Sequence, residues 1–171
     1  MADLIAVLEE VFTNPAFFFP LLFVYSVLVA IILPIPIEIA LIWPLLKGDL
    51  WLYTGATLTM ALGKTMGSWG IFFLGIKVED NIRRWSEGYR LARRFVDGMI
   101  KFVRRTRYVG LLILLSIPLM TDTVPIYVYS LFNEEGEILQ LRLFLSVNFV
   151  AAIVRSLVIA ILFKSFGLMP S

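Results

Sequence analysis

Twice along this chain an apolar run is cut by prolines with an acid beside them, at Pro34-Ile35-Pro36-Ile37-Glu38 and at Pro118-Leu119-Met120-Thr121-Asp122-Thr123-Val124-Pro125. A helix rises about 1.5 Å per residue and needs about 20 apolar residues to cross a hydrocarbon core of about 30 Å. Around the first break, Ala16 to Leu33 is an uncharged run of 18 residues containing Pro20, but only 13 residues then separate Leu33 from Lys47. Around the second, Tyr108 to Ile117 supplies ten residues and Ile126 to Phe132 returns to apolar character. These pieces are too short to cross singly. Each break therefore reads as the tip of a re-entrant hairpin that enters the bilayer, turns and leaves on the same side; a full crossing by residues 16–33 is the alternative.

Composition supports a bilayer. Of 171 residues, 60% are hydrophobic and 16% charged, with a mean hydropathy of +0.89. A soluble domain carries about 25% charge and about 45–50% apolar residues. The chain is expected to form one multi-pass membrane domain in the cell membrane. It has no Cys and no His, which excludes disulfides, a thiolate nucleophile, the usual zinc sites and Ser-His-Asp or Cys-His relays. No Gly-rich phosphate loop occurs. No enzyme activity, metal or cofactor is expected.

The order of parts repeats. Residues 1–13 read as an amphipathic interfacial helix, with Leu4, Ile5, Val7, Leu8 and Val11 around Asp3, Glu9 and Glu10. Residues 16–76 hold the first hairpin and the long apolar segment Trp51 to Ile76, whose one charge is Lys64 and whose Gly63, Gly67 and Gly70 are spaced to admit another helix. Residues 108–165 hold the second hairpin and Leu143 to Phe163, whose one charge is Arg155. The acid-to-base separation is 26 residues in the first half and 33 in the second, a difference matching the seven-residue acidic insert Asn133 to Leu139. The expected fold is an all-α integral membrane protein. It is an inverted repeat of two re-entrant hairpins, each followed by a transmembrane helix.

Between the halves, residues 77–107 carry ten of the fifteen basic residues against four acids, a net +6 against −4 elsewhere. Such a loop is held on the cytoplasmic side, so the first hairpin would enter from outside and the second from the cytoplasm, their tips meeting near the midplane. Val78, Ile82, Trp85, Tyr89, Ala92, Val96, Met99 and Val103 recur at alternating spacings of four and three, which predicts one amphipathic linker helix. Its bases would meet anionic lipid head groups, each contributing about 1 kcal/mol; a partner-binding helix is the alternative, and nucleic acid is not expected. Whether chains associate with one another is left open.

Glu38, Lys64, Asp122 and Arg155 are ionisable residues in apolar surroundings. An ionised side chain at the centre of a spanning helix costs about 2.5–3.5 kcal/mol, so four unpaired charges would cost roughly 10 kcal/mol. They are expected to pair. As static cement they would pair within each half, Glu38 with Lys64 and Asp122 with Arg155. As a functional site, the tips with backbone freed by Pro34, Pro36, Pro118 and Pro125 would line a polar cavity in which Lys64 and Arg155 hold a phosphate. The carboxylates would then be titrating partners, with hydroxyls from Thr121, Thr123 and Ser116 nearby.

The pattern Pro34-x-Pro36-x-Glu38, then Gly55-Ala56-Thr57-Leu58-x-x-x-x-Gly63-Lys64-x-x-Gly67, then Pro118-x-x-x-Asp122 resembles the DedA / VTT family of membrane proteins, also called SNARE-associated Golgi proteins. The likeness extends over about residues 16–163. It implies two opposed re-entrant hairpins and movement of lipids across bilayers, including polyprenyl-phosphate carriers and phospholipids, in several cases driven by the proton motive force. Glu38 matches the acid of the first hairpin motif. The second motif departs, with Ile117-Pro118-Leu119-Met120-Thr121-Asp122 where many members have arginines around a Pro-Gly pair, and Lys64 stands where the family has an acid. The expectation is a lipid transporter or flippase for a phosphate-bearing lipid, with proton coupling. Alternatives are a small-solute or ion transporter using the same midplane site, and a non-transporting structural or assembly protein.

Overall fold

The structure is a computed structural model that describes residues 14–32, 35, 36, 38–133 and 136–168, without the side chains of Ile39, Asp80, Arg83 and Glu87. The expected interfacial helix at 1–13 and the tip residue Pro34 lie outside the described residues. The described residues form six helices: α1 (Pro15–Ile31), α2 (Ile39–Lys47), α3 (Leu50–Glu87), α4 (Arg90–Ser116), α5 (Thr123–Leu131) and α6 (Leu141–Ser165). Among the described residues there is no strand.

Local chemistry sets the ends of the first helices. Asn14 caps α1 by accepting the Ala16 N–H at 3.1 Å, with Pro15 at the first helical position where its missing N–H costs nothing. The helix continues through Pro20. Its last carbonyls lack intrahelical donors, and two are satisfied from α5: Thr123 Oγ1 donates to Val29 O at 2.9 Å and Tyr127 OH to Ile31 O at 3.0 Å. α2 ends at Gly48, whose φ of 68° is the left-handed conformation that closes helix C-termini. Asp49 then caps α3 through the Leu52 N–H at 2.9 Å.

The contacts fix the directions of the helices. Gly55 of α3 faces Phe19 of α1, Gly63 faces Phe23 and Ser26, and Gly67 faces Val27 and Ala30. Residue numbers climb together, so α1 and α3 are parallel, and α2 must carry the chain back to the end where α1 began. The same logic makes α6 antiparallel to α3: Tyr53 OH donates to Ser156 O at 2.6 Å, Ser68 Oγ to Asn148 Oδ1 at 3.0 Å, and the Phe72 and Phe144 rings lie 5.0 Å apart. At the start of α6, the Gln140 N–H donates to Tyr108 OH at 2.8 Å, the hydroxyls of Thr106 and Tyr129 are 2.6 Å apart, and Gly75 abuts the Ser130 backbone. The segment after Arg107 and helix α5 therefore form a second hairpin, which opens at the end opposite the first.

Three expectations need correction. Residues 77–107 are not one linker helix, because α3 continues to Glu87, breaks at Gly88-Tyr89, and α4 carries the rest. The apolar stripe divides there: Val96 and Val103 are buried, while Trp85 and Tyr89 are 65% and 62% exposed. α4 is itself interrupted at Arg107, with φ 45° and ψ −137°. Gly70 does not share the helix contact of Gly63 and Gly67, for nothing lies within 4 Å of where its Cβ would be. Pro125 is not at a tip but in the first turn of α5, where no intrahelical N–H is required.

Much of the exterior of the bundle is apolar. Phe17, Leu21, Val24 and Leu28 on α1, Leu58, Leu62, Met66, Trp69 and Phe73 on α3, Val109 and Ile113 on α4, and Leu143, Val150, Leu157 and Ile161 on α6 are all exposed. α6 is long and apolar enough to cross a membrane, and α1 is a shorter apolar helix. A Cβ at Gly63 would sit 2.6 Å from Ser26 Cβ and one at Gly67 2.7 Å from Ala30 Cβ. Gly63→Ala and Gly67→Ala should each destabilise the purified protein by about 1–3 kcal/mol through overpacking. Gly70→Ala should stabilise it by about 1 kcal/mol, and thermal unfolding in detergent checks the contrast.

Candidate functional site

The two turns place one acid each at the start of a short helix. Glu38 is the N-cap residue of α2 and Asp122 that of α5, and neither side chain caps its helix. A carboxylate at an N-cap ordinarily accepts N–H groups of the first turn. Here both are turned to bases on the long helices instead, while the positive end of the helix dipole still favours their charge.

The four charges form one buried chain. Lys64 Nζ lies 2.9 Å from Asp122 Oδ2, Asp122 Oδ1 lies 2.9 Å from Arg155 Nη2, and Arg155 Nη1 donates to Glu38 Oε1 at 2.7 Å and to the Met120 carbonyl at 3.1 Å. Both contacts of Asp122 are ion pairs between buried side chains. Lys64 and Arg155 are 0% exposed, Asp122 1% and Glu38 2%. Two acids and two bases leave no net formal charge. Removing four charges from water costs several kcal/mol per ion, which mutual pairing must offset. Each base meets an acid of the other half, Lys64 with Asp122 and Arg155 with Glu38, and Arg155 also meets Asp122 within its own half. The expected Glu38–Lys64 pair is absent among the ion pairs of the described residues, whereas Asp122–Arg155 forms as expected.

The other expected site residues are distributed around this chain. Thr123 spends its hydroxyl on α1, at the Val29 carbonyl. Thr121 is half-buried beside Asp122, and no described contact joins it to the four charges. Ser116 Oγ is buried without a hydrogen-bond partner among the described residues. Pro36 lies in the non-helical link before Glu38 and Pro118 in the turn after α4, where Leu119 takes a positive φ of 62°. Glu38, Pro118 and Leu119, with Ile42 of α2 and Ile159, Leu162 and Phe163 of α6, line a cavity of about 120 Å³. Among the described residues no cluster of acids could hold a metal ion.

A polar seam joins α3 to α6 beside the charges, and the sequence reading missed it. Ser68 Oγ donates to Asn148 Oδ1 while Asn148 Nδ2 donates to the Phe144 carbonyl at 2.8 Å, all buried. Its signal was present: Ser68 stands four residues after Lys64 and Asn148 seven before Arg155, spacings that put each on the face of its charged neighbour. Asn133 was also missed. Fully buried, it closes the loop before α6 by accepting the Leu139 N–H at 2.6 Å and donating to the Leu139 carbonyl at 3.0 Å.

No family model, curated protein or solved structure significantly matches this chain. The geometry itself supplies the test of the pairing. Removing one partner of a buried ion pair typically costs about 3–5 kcal/mol, and Arg155→Met, which strips both carboxylates of a base, should fall at the upper end. A double-mutant cycle measured by chemical unfolding should give a larger coupling for Glu38 with Arg155 than for Glu38 with Lys64.

Proposed function

We propose that this chain is a membrane lipid transporter that moves a phosphate-bearing lipid, a phospholipid or a polyprenyl phosphate, across the bilayer, with a proton as the coupling ion. The observation that carries the reading is a chain of four charges, linked by three ion pairs and buried where two opposed hairpin turns meet, among helices α1, α3 and α6 that expose rows of apolar side chains. Ionisable groups at membrane depth face protein or a cavity and mark the paths of substrates and ions. An apolar exterior over this polar interior is the reverse of a soluble domain and suits lipid contact. In this reading the hairpins are re-entrant, the halves are an inverted repeat, and the likeness to the DedA / VTT family reflects a shared mechanism.

The mechanism follows from competition. Arg155 can grip a phosphate with two parallel N–H bonds and Lys64 can hold it as a point charge, and a lipid phosphate arriving between the tips exchanges with Asp122 or Glu38 for them. The displaced carboxylate takes up a proton, so the site never holds an uncompensated charge. Because each base is bound to an acid from the opposite hairpin, exchange at either base loosens one tip from the other, and the bundle opens toward one side. The exposed Arg90, Arg93, Arg94, Lys101 and Arg105 of α4 hold anionic lipid head groups at the cytoplasmic face.

A second reading, in which the charges only clamp the hairpins, draws on the same mutual pairing. The two separate on removal of one acid and one base. In the variant Glu38→Gln with Lys64→Met the Asp122–Arg155 pair remains and the new amide can still accept from Arg155, so no buried charge is left unpaired. Transport predicts that this protein purifies folded yet moves fluorescent phospholipid or polyprenyl phosphate in liposomes at least about tenfold more slowly than wild type, a barrier increase of about 1.4 kcal/mol or more. Retained transport in that variant would leave only the clamp. Uptake of radiolabelled small solutes by wild-type liposomes, without lipid movement, would instead favour a solute transporter.

A further inference from the structure

On one side of the charges, α3 is longer than a bilayer requires. Glu87 stands 23 residues beyond Lys64 in one continuous helix, a distance of about 35 Å at about 1.5 Å per residue. A tilt of about 20° shortens that rise to about 33 Å, against about 15 Å for half a hydrocarbon core and about 5–7 Å more for the head groups. Thr106 pairs with Tyr129, and Gly75 abuts the neighbouring Ser130, so α4 runs back from Arg90 to the level of Gly75. The last turns of α3 and the first turns of α4 therefore make a helical arm. Its tip, around Gly88 and Tyr89, clears the head groups by about 10 Å when the charge chain lies at mid-depth.

That tip is apolar where no lipid tail reaches. Trp85, Tyr89, Leu91 and Phe95 are 65%, 62%, 84% and 61% exposed, and the Trp85 and Tyr89 rings lie 5.8 Å apart. Leu91 and Phe95, one helical turn apart, share a face of α4, while Val96 and Val103 are buried on another. Arg84, Arg90, Arg93 and Arg94 are exposed around them, against Asp97 as the exposed acid among the described side chains of residues 84–97. We propose that the tip of this arm docks an amphipathic segment of a partner protein that carries acidic and apolar side chains together. The proposal rests on the transporter reading in taking the charge chain to lie at mid-depth of the bilayer. Large apolar side chains gathered in water mark an interaction surface, Trp, Tyr and Arg are the residues that anchor protein interfaces, and the sign of the surrounding charge selects an acidic partner. The arginines still sense an anionic leaflet, whose field extends about 8 Å, but its hydrocarbon cannot cover the four apolar side chains.

Fluorescent model peptides separate the two recognition elements, titrated by anisotropy against the full-length protein in nanodiscs of neutral phosphatidylcholine. A repeat of Glu-Glu-Leu-Leu carries acid and apolar groups, Glu-Glu-Ser-Ser only the acid, and Lys-Lys-Leu-Leu the opposite charge. The first should bind wild type about tenfold or more tightly than either control, and should lose about tenfold or more in the variant Leu91→Ser with Phe95→Ser and again in Arg90→Gln with Arg94→Gln. All four positions are exposed, so thermal unfolding of the variants should match wild type. Equal binding of Glu-Glu-Ser-Ser, or binding unchanged in the serine variant, would overturn the proposal. A bilayer as the occupant is tested by a nitroxide at Leu91→Cys, a unique thiol because the chain has no cysteine. In nanodiscs containing phosphatidylglycerol the label should stay open to collision with an aqueous nickel chelate; shielding from nickel with access to oxygen would put the tip in lipid and overturn docking. Liposome transport is read separately. If no lipid moves while peptide binding depends on Leu91 and Phe95 and the label stays in water, the transporter reading fails and the docking surface stands. If lipid moves while the label is shielded, the reverse holds.

Discussion

Four charged side chains with almost no solvent exposure can coexist only if each has an opposite charge within about 3 Å, and the rest of this fold is arranged to supply that. The acids come from two turns and the bases from the two long helices, so no single element can satisfy its own charge. Arg155 is the hinge of the arrangement. Its guanidinium reaches Glu38, Asp122 and the Met120 carbonyl together, which a compact ammonium in its place could not do with the same fixed geometry. Pull either turn out of position and a carboxylate is left in an apolar interior.

The backbone geometry around the site follows from the same demand. For both turns to reach one point, the hairpins must open at opposite ends of the bundle, and α1 must approach α3 closely enough for Gly63 and Gly67 to meet the α1 backbone. The hydroxyls of Thr123 and Tyr127 then fall against the unpaired carbonyls at the end of α1. One hairpin thus completes the hydrogen bonding of the other. In the bilayer of the proposed function no water would be at hand to do it. The polar seam of Ser68 and Asn148 joins the long helices one turn along α3 from Lys64 and two turns along α6 from Arg155. A transporter built this way would have its two gates linked at the site itself, since the contacts that close the tips are also the contacts a substrate must replace.

The identity of the four charges, the two proline breaks and the all-helical character were legible in the sequence, because an ionisable residue inside an apolar run stands out whatever the fold. The linker was misread for an equally physical reason. The spacing of Val78 to Val103 stays helical in number across Gly88, and periodicity reports which residues could share a face without reporting that the helix has ended and restarted in a new direction. Trp85 and Tyr89 keep the period and lose the burial. Nor does spacing reveal that Glu38 and Asp122 give up capping their own helices.

What the sequence determined by itself is the cast: two acids beside prolines, two bases on long helices, and an apolar majority that favours hiding them from lipid or from one another. What only the tertiary structure decided is who pairs with whom. Short-range patterning favours Glu38 with Lys64, yet the antiparallel packing of α3 and α6 and the opposed hairpins bring Glu38 to Arg155 and Lys64 to Asp122. Ion pairing depends on a few ångströms of separation, and those distances are set by helix packing across the whole chain.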